Sequence, residues 1–254
     1  MYFDSHCHLN DPSLLTNLDE VIKRAKDNGV TLMNIIGYDL SSSKKAIEIA
    51  NKYEGIYATV GIHPNDLHKM NKNDFDEIEK LLTKDKVIAV GEIGLDYHYE
   101  DTYKDLQKEY LVKFLHLANK YKKPIVIHVR DALNDALTIF KEHKSLIIGG
   151  VMHCYSGSKE MAKEFIKLGL YIGVDGPVTF LNARVIKEVV SDVPLEWLLI
   201  ETDCPYLTPH PYRGKRNEPS YLPLIAQKIA ELKNLSVEEV AFTTTNNAKR
   251  LFNL

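Results

Sequence analysis

The feature that most limits the fold is a regular alternation of short apolar runs with longer amphipathic segments along the whole chain. Each run has about four to eight residues and is rich in β-branched side chains, which is typical of a strand buried on both faces. The eight predicted strands are Tyr2–Ser5, Thr31–Ile36, Ile56–Ile62, Val87–Glu92, Ile125–Val129, Leu146–Met152, Tyr171–Val174 and Leu198–Thr202.

The segments between these runs repeat apolar residues at helical spacing. Leu14–Asn28 ends before a glycine that can stop a helix, and Ser41–Tyr53 begins with serines suited to an N-cap. Two helices follow the last strand, Tyr221–Leu232 and Ser236–Leu251, and the second opens on a Ser-x-x-Glu capping box. The other predicted helices are Asn73–Thr83, Tyr103–Tyr121, Ala132–His143, Lys159–Leu168 and Leu181–Val190.

Eight strands with intervening helices predict a single α/β domain over residues 1–254. We expect one (β/α)8 TIM-type barrel with extra C-terminal helices, because the strand count and the length both fit and no linker rich in Pro, Gly or Ser divides the chain. A doubly wound open sheet remains the alternative, since periodicity does not show whether a sheet closes.

Composition narrows the functional classes. The net charge of −3 excludes a surface that attracts nucleic acid everywhere, so an anionic substrate needs a local positive site. Three cysteines without framework spacing fit a reducing compartment. The N-terminus lacks the pattern of a signal peptide, and no apolar run is long enough to span a membrane. We therefore expect a cytoplasmic protein with no membrane contact and no obligatory protein partner.

Polar residues interrupt the apolar runs where the strands end, which is where barrel enzymes place their chemistry. These positions hold four imidazoles and two carboxylates: His6, His8, Glu92, His128, His153 and Asp203. Because the strand ends lie at equivalent heights in a barrel, these side chains would converge on one pocket. Neutral imidazole with carboxylate is a ligand set for divalent ions such as zinc, manganese or nickel. Six ligands exceed the need of one tetrahedral ion, whereas two ions about 3.5–4 Å apart would use them all.

The alternative for any one histidine is a hydrogen-bonded core residue. Six polar groups on five strand ends are hard to explain as packing, because each uncompensated buried group costs about 1–3 kcal/mol. The remaining histidines outside the strand ends fall in loops or helical segments and are interpreted as structural: His68, His98, His116, His143 and His210.

Strand geometry separates the cysteines from the candidate ligands. Side chains alternate between faces, so His6 and His8 point the same way and Cys7 points the opposite way. The same parity turns Cys154 and Cys204 away from their ligand neighbours. We interpret all three cysteines as small apolar residues between the barrel and the helices.

At these residues the sequence resembles the TatD family of metal-dependent hydrolases, within the amidohydrolase-like superfamily. The resemblance covers essentially the whole chain and rests on Asp4-Ser5-His6-Cys7-His8, Gly61-Ile62-His63-Pro64, Gly91-Glu92-Ile93-Gly94-Leu95-Asp96, Ile127-His128-Val129-Arg130, His153-Cys154-Tyr155-Ser156-Gly157, Glu201-Thr202-Asp203-Cys204-Pro205-Tyr206-Leu207 and the segment from Tyr212 to Pro219. It implies a TIM-type barrel and a divalent-metal phosphodiesterase, often a deoxyribonuclease that acts on DNA ends.

The resemblance also implies how two divalent ions (Zn, Mn, Mg or Ni) would be held. The ligands of the first ion would be His6, His8, Glu92 and Asp203, and those of the second would be Glu92, His128 and His153, with Glu92 bridging. Related barrels often bridge their ions with a carbamylated lysine, but no lysine interrupts these strand ends.

Such a site remains positive after its carboxylates are counted, so it can hold a phosphate. An ion of this kind lowers the pKa of its water to about 7 and supplies hydroxide at neutral pH. The hypothesis is an in-line attack on a phosphodiester, with Asp203 as general base and Glu92 as the bridging catalytic carboxylate.

Other residues are candidates for substrate binding, each with a structural alternative such as a loop hydrogen bond, an ion pair or packing. His63 and Arg130 lie at strand ends and could donate to phosphate oxygens. The loop after strand 8 carries a basic cluster, and two tyrosines could stack on a base or sugar. These residues are Arg213, Lys215 and Arg216, with Tyr155 and Tyr97. By parity, Asp4 and Glu201 would orient the ligands.

The leading interpretation is a metal-dependent 3′–5′ exonuclease with DNA as its substrate. Hydrolysis of a small-molecule amide, lactone or ester is the alternative, because the same barrel and metals serve that chemistry. The basic loop favours the phosphodiester. A non-catalytic metal-binding protein is the third possibility.

Overall fold

Eight parallel strands form one sheet in which each strand pairs with the next in sequence. The computed structural model describes residues 1–99 and 103–254. The strands are β1 Tyr2–Cys7, β2 Val30–Ile36, β3 Ile56–Val60, β4 Val87–Asp96, β5 Ile125–Arg130, β6 Gly150–Met152, β7 Leu170–Val174 and β8 Leu198–Ile200.

The first and last strands meet at a seam that nearly closes the sheet. Just beyond β8, the amide of Asp203 donates to the His6 carbonyl over 2.9 Å, and the His8 amide donates to the Cys204 carbonyl over 2.8 Å. The predicted TIM-type barrel is confirmed, and the open doubly wound sheet is excluded.

Helices cover the outside of the barrel. They are α1 Pro12–Leu15, α2 Leu18–Asp27, α3 Leu40–Lys52, α4 Asp74–Leu81, α5 Lys104–Tyr121, α6 Leu133–Glu142, α7 Lys159–Lys167, α8 Arg184–Asp192, α9 Leu222–Lys233 and α10 Val237–Phe252. In α2, Val21, Ile22 and Ala25 are buried while Lys23 and Lys26 are exposed, which is the amphipathic pattern that the sequence predicted. Among the residues that the structure describes, no helix has the length and hydropathy needed to cross a membrane.

Apolar side chains fill the N-terminal end of the barrel interior. Val126 and Val151 each lie two residues before a histidine of the candidate metal site, so they share its face lower in the barrel. They join one buried cluster with Phe3, and α10 covers that cluster with Leu251 and Phe252. Functional side chains therefore collect at the other, C-terminal end.

Several predicted boundaries are wrong, each for a local reason. The sixth strand does not begin at Leu146, because Lys144–Leu146 forms a 3-10 turn and Gly149 has a φ of +146°. The first helix is divided into α1 and α2. The helix predicted over Ser41–Tyr53, which is α3, is capped by Asp39 and not by a serine, since the Asp39 carboxylate accepts from the Ser42 amide over 2.6 Å.

One buried side chain ties the last helix to the barrel. Asn247 on α10 donates to the carbonyls of Leu195 and Leu198 over 2.9 Å each, just where the chain enters β8. We expect Asn247→Ala to lower the free energy of unfolding by about 2–4 kcal/mol, because two buried acceptors lose their donor. Urea unfolding checks this. Asn246→Ala, at the half-buried neighbouring position, is the matched control, and an equal loss in both variants would contradict the account.

Candidate metal centre

The six side chains predicted as ligands lie together at the C-terminal end of the barrel. His6 and His8 come from the end of β1, Glu92 from within β4, and His128 from β5. His153 and Asp203 follow β6 and β8. The wall of a cavity of about 860 Å³ includes five of them: His8, Glu92, His128, His153 and Asp203. His6 is fully buried.

Four of the six form a compact first cluster. The Nε2 atoms of His6 and His8 are 3.2 Å apart. Asp203 Oδ1 lies 3.5 Å from the first and 3.3 Å from the second, and Glu92 Oε2 lies 3.7 and 3.9 Å from them. Tetrahedral ligands at 2.0–2.2 Å from zinc are about 3.3–3.6 Å from one another. The separations therefore fit one ion held by these four residues.

The other oxygen of Glu92 faces a second cluster. Its Oε1 lies 3.2 Å from His128 Nδ1 and 3.9 Å from His153 Nε2. The two oxygens of one carboxylate thus face different imidazoles, while His153 Nε2 also lies 3.7 Å from Asp203 Oδ1. This is the arrangement that a carboxylate between two cations requires.

The site also concentrates negative charge. Six carboxylates around it are at least nine-tenths buried: Asp4, Glu92, Asp96, Asp175, Glu201 and Asp203. Among the described residues, no lysine or arginine nitrogen lies within 4.0 Å of any of these carboxylates. Burial raises the pKa of both Asp4 and Asp175 to about 7. Buried charge of one sign is costly unless it is paired or bound to metal, so the residues present fit divalent cations.

Two groups of the first cluster, Glu92 and His6, are in the states that ligands need. Burial by itself would raise the pKa of Glu92, but His6 and His128 beside it hold that pKa well below its usual range. Burial lowers the pKa of His6 well below its usual value. An ionised carboxylate and a neutral imidazole are the ligand forms. Burial would also lower the pKa of His153, but Glu201 and Asp203 raise it to about 10, which shows how strongly this environment attracts positive charge.

Hydrogen bonds at the outer nitrogens fix three of the rings. His8 Nδ1 lies 3.1 Å from the Ile36 carbonyl, His128 Nε2 lies 3.1 Å from Asp96, and His153 Nδ1 lies 2.8 Å from Glu201. Each ring then turns its other nitrogen to the cluster. His6 Nδ1 is buried and has no partner within the described part of the chain.

The two predicted orienting carboxylates have different roles. Glu201 holds His153, and Gly173 leaves room for it, since a Cβ there would lie 2.5 Å from Glu201 Oε1. Among the described residues, no imidazole hydrogen-bonds to Asp4, which accepts from the backbone amide of His6 over 3.3 Å. It also accepts from the amide and hydroxyl of Thr202 over 3.0 and 2.6 Å, across the seam. Strand parity misplaces Asp4 because β1 is irregular between Asp4 and Cys7.

Two cysteines lie as the alternation predicts and one does not. Cys7 and Cys204 are fully buried in the apolar layer between barrel and helices. Cys154 is half-buried and lines the cavity. The prediction for Cys154 is wrong because β6 ends at Met152 and Cys154 has a φ of +44°, so strand alternation no longer applies.

Both strand-end candidates for substrate binding line the cavity, His63 and Arg130. His63 Nδ1 accepts from the Asn65 amide over 3.2 Å, and burial lowers the pKa of His63 to about 4. A neutral ring whose Nδ1 is an acceptor carries its proton on Nε2. His63 is therefore a donor at Nε2, although it also lies within ligand distance of Glu92 and His128.

The other substrate-binding candidates lie outside the cavity wall. Tyr155 is buried and its hydroxyl donates to the Ser158 carbonyl over 2.8 Å, so the expectation that it stacks on substrate is corrected. Tyr97 donates to Asp135 over 3.0 Å. The basic loop is exposed, but its members contact the protein: Arg213 lies over Phe180, Lys215 lies near Tyr212, and Arg216 donates to the Ser13 carbonyl.

Sequence reasoning missed several residues of the cavity wall. Tyr38 and Tyr206 place their rings 5.7 and 6.2 Å from the His8 ring. His98, interpreted from sequence as structural, lines the cavity beside Asp131. Tyr38, which follows β2, and Asp131, which follows β5, could have been found by treating every polar or aromatic residue just beyond a strand as a candidate.

Comparison with known proteins places this site in a family. A profile described as "TatD related DNase" matches residues 3–253. The chain belongs to the TatD family of metal-dependent hydrolases. It is 49% identical over the full length of both chains to the uncharacterized metal-dependent hydrolase YabD of Bacillus subtilis. Its identity to YcfH of Escherichia coli, also described as an uncharacterized metal-dependent hydrolase, is 36% over 99% of this chain and 95% of the relative.

A solved TatD-family structure has the same barrel. YJJV, a TatD homolog from Escherichia coli, superposes with a TM-score of 0.95 and 31% identity, covering 100% of this chain and 98% of that one.

Metal removal tests the TatD-family site directly. We expect chelator-stripped protein to unfold at a lower temperature, because ions at about 1,000 times their Kd stabilise the folded state by about 4 kcal/mol. Differential scanning fluorimetry after adding back Zn, Mn, Mg or Ni, with metal content measured by mass spectrometry, checks this. Glu92→Gln should lose most of the response, whereas the exposed control Glu142→Gln should keep it. A stripped protein with an unchanged melting temperature would contradict the assignment.

Proposed function

We propose that this barrel is a phosphodiesterase with two divalent ions, and that it acts as a deoxyribonuclease, a 3′–5′ exonuclease on DNA ends. The observation that carries the proposal is the position of Glu92, whose two oxygens face different imidazoles at the base of an open cavity. Carboxylates between paired metal sites are a recurring feature of nucleases and phosphatases. Three free cysteines fit a cytoplasmic location for this activity.

When bound, the ions would lower the pKa of water and neutralise charge on a phosphate. The chain's contribution begins with holding them. His6, His8 and Asp203 would hold one, and His128 and His153 the other, with Glu92 shared. Asp203 is the general base in this proposal. Its carboxylate is the most exposed of the six buried ones, and it faces the cavity while it still contacts the first cluster.

His63 supplies a hydrogen bond in this mechanism. Its Nε2–H is unused by the Asn65 contact, and its ring lies 4.4 Å from that of His128 at the second cluster. A donor at that position can bind a non-bridging phosphate oxygen as charge develops there.

The mouth of the cavity suits a nucleoside. Tyr206 is 55% exposed and Tyr38 is half-buried, and both line the wall next to His8. Exposed aromatic rings stack on bases without sequence preference. This wall supports a nucleotide substrate over a small aliphatic amide.

The cavity volume favours a second candidate. At about 860 Å³, the cavity falls within the size range of small-molecule sites, roughly 300–1,000 Å³. A small amide, lactone or ester therefore remains the alternative substrate class.

One assay separates the two candidates. Metal-replenished protein is incubated with end-labelled DNA and, in parallel, with a panel of amides and lactones, with Glu92→Ala as the inactive control. We expect nucleotide release from DNA and none in the control. Turnover of the panel without cleavage of DNA would replace the proposed function by the alternative.

A substitution at Asp203 tests its role as the general base. Asp203→Asn keeps an oxygen for the metal but cannot accept a proton, so we expect kcat to fall by about 10²–10⁴-fold with metal content retained. Kinetics and metal analysis of the same preparation check this. Wild-type turnover in the variant would remove the role.

His63→Ala distinguishes a donor from a ligand. We expect kcat/KM to fall by about tenfold to a hundredfold while both ions remain bound, since one charge-assisted hydrogen bond is lost. If the variant instead loses an ion, His63 is a ligand and not a donor.

A further inference from the structure

One positively charged side chain of the cavity wall takes no part in the candidate metal site. Arg130 is the single lysine or arginine among the cavity-lining residues that the structure describes. It ends β5, two residues beyond His128. Within the described residues, no carboxylate oxygen lies within 4.0 Å of its guanidinium, which is held instead over the ring of Tyr99 at 5.6 Å from the centroid.

A second donor lies on the same wall. His98 lines the cavity, and its Nδ1 lies 3.0 Å from Asp131 Oδ2. Asp131 has a φ of +55°, in the left-handed region that Asp tolerates better than most residues. Since Asp131 Oδ2 accepts the proton of His98 Nδ1, Nε2 of His98 is a second donor in the imidazolium form of the ring.

This wall is tied rigidly to the metal site. The His98 amide donates to Asp96 Oδ1 over 3.0 Å, and the other oxygen of the same carboxylate lies 3.1 Å from His128 Nε2. Asp96 itself is fixed by Asn65, whose amide group donates to it over 2.8 Å. The backbone of His98 and the ring of the predicted metal ligand His128 are therefore held by one buried carboxylate.

The opposite side of the cavity differs in chemistry. Tyr38, Tyr206 and Leu207 form an aromatic and apolar wall, whereas His98 and Arg130 form a wall of donors. A symmetric diester would use only the metal cluster between them. A substrate that carries a second anionic group would use the donor wall as well.

We propose that Arg130, supported by His98, forms a subsite for a second phosphate of the substrate, the one next to the scissile phosphodiester. This inference rests on the proposed function. The ions would compensate the charge of the scissile phosphate. The Arg130 guanidinium, which has no carboxylate partner among the described residues, therefore remains for the neighbouring phosphate and can bind it through two parallel N–H donors. The substrate class is accordingly an oligonucleotide or a nucleotide that carries a further phosphate.

The test uses chromogenic substrates that differ by one phosphate. One pair is the p-nitrophenyl ester of thymidine 5′-phosphate with and without a 3′-phosphate. The other is the p-nitrophenyl ester of thymidine 3′-phosphate with and without a 5′-phosphate. The quantity measured is the ratio of kcat/KM with the second phosphate to kcat/KM without it. For the metal-replenished wild type we expect a ratio of about ten or more in one pair.

The variants locate the origin of this ratio. Arg130→Gln should bring it near one, mainly through KM for the doubly phosphorylated substrate, and Arg130→Lys should retain part of it. His98→Gln should lower it by a smaller factor. Arg250→Gln is the matched control, since Arg250 is exposed on α10 and lines a different pocket. Metal content is measured for every variant, so that loss of an ion is recognised.

The possible results separate this inference from the proposed function. If the wild type releases no nucleotide from DNA and hydrolyses none of the four esters, the phosphodiesterase proposal fails, and the subsite fails with it. If it cleaves DNA but none of the four esters, the subsite is refuted while the phosphodiesterase proposal stands. If it hydrolyses the esters with ratios near one, the subsite is refuted while the phosphodiesterase proposal stands. The same conclusion follows if Arg130→Gln keeps the wild-type ratio or if Arg250→Gln brings the ratio near one.

Discussion

The structure depends on balancing buried negative charge at one end of the barrel. Carboxylates from four strands or their ends meet imidazoles there, and the described residues offer no lysine or arginine to neutralise them. Isolated buried carboxylates are costly, so bound cations would stabilise the native arrangement. A metal site here would contribute to the stability of the fold as well as supply chemistry.

The rest of the barrel serves that arrangement. Apolar side chains and α10 fill the N-terminal end, which leaves the C-terminal end for polar groups. The seam between β1 and β8 is held by backbone bonds of His6, His8 and Asp203, three of the predicted ligands. Closing the barrel therefore also brings three ligands of the first cluster together, because the residues that hold the seam carry ligand atoms.

The fold and the candidate ligands could be predicted from sequence because they depend on hydrophobic periodicity and on the position of polar residues relative to the strand ends. Alternating strands and helices indicate the barrel, and polar residues at strand ends indicate the pocket that holds the candidate ligands. The alternation rule works for His6 and His8, where the chain is still extended. It fails for Cys154, where a left-handed residue follows a strand of three residues. The hydrophobic periodicity of a sequence does not show where the backbone adopts such a left-handed conformation.

Contacts between distant loops were also beyond prediction. His98 becomes a cavity residue because Asp131, thirty-three positions later, binds its ring. Tyr155 sits in a motif beside a ligand, yet its side chain turns inward to the Ser158 carbonyl. The basic loop after β8 packs partly against α1, where Arg216 meets Ser13. Residue type and neighbourhood suggested function in each case, but tertiary contacts decide which side chains face the cavity.

The most direct test of the account is an anomalous-scattering map from crystals of the metal-loaded protein, collected at the absorption edge of the bound metal. The account predicts two peaks about 3.5–4 Å apart, one on each side of the Glu92 carboxylate. One peak lies within bonding distance of His6, His8 and Asp203, and the other within bonding distance of His128 and His153. A map with no peak at these residues, or with its peaks elsewhere in the barrel, would contradict it.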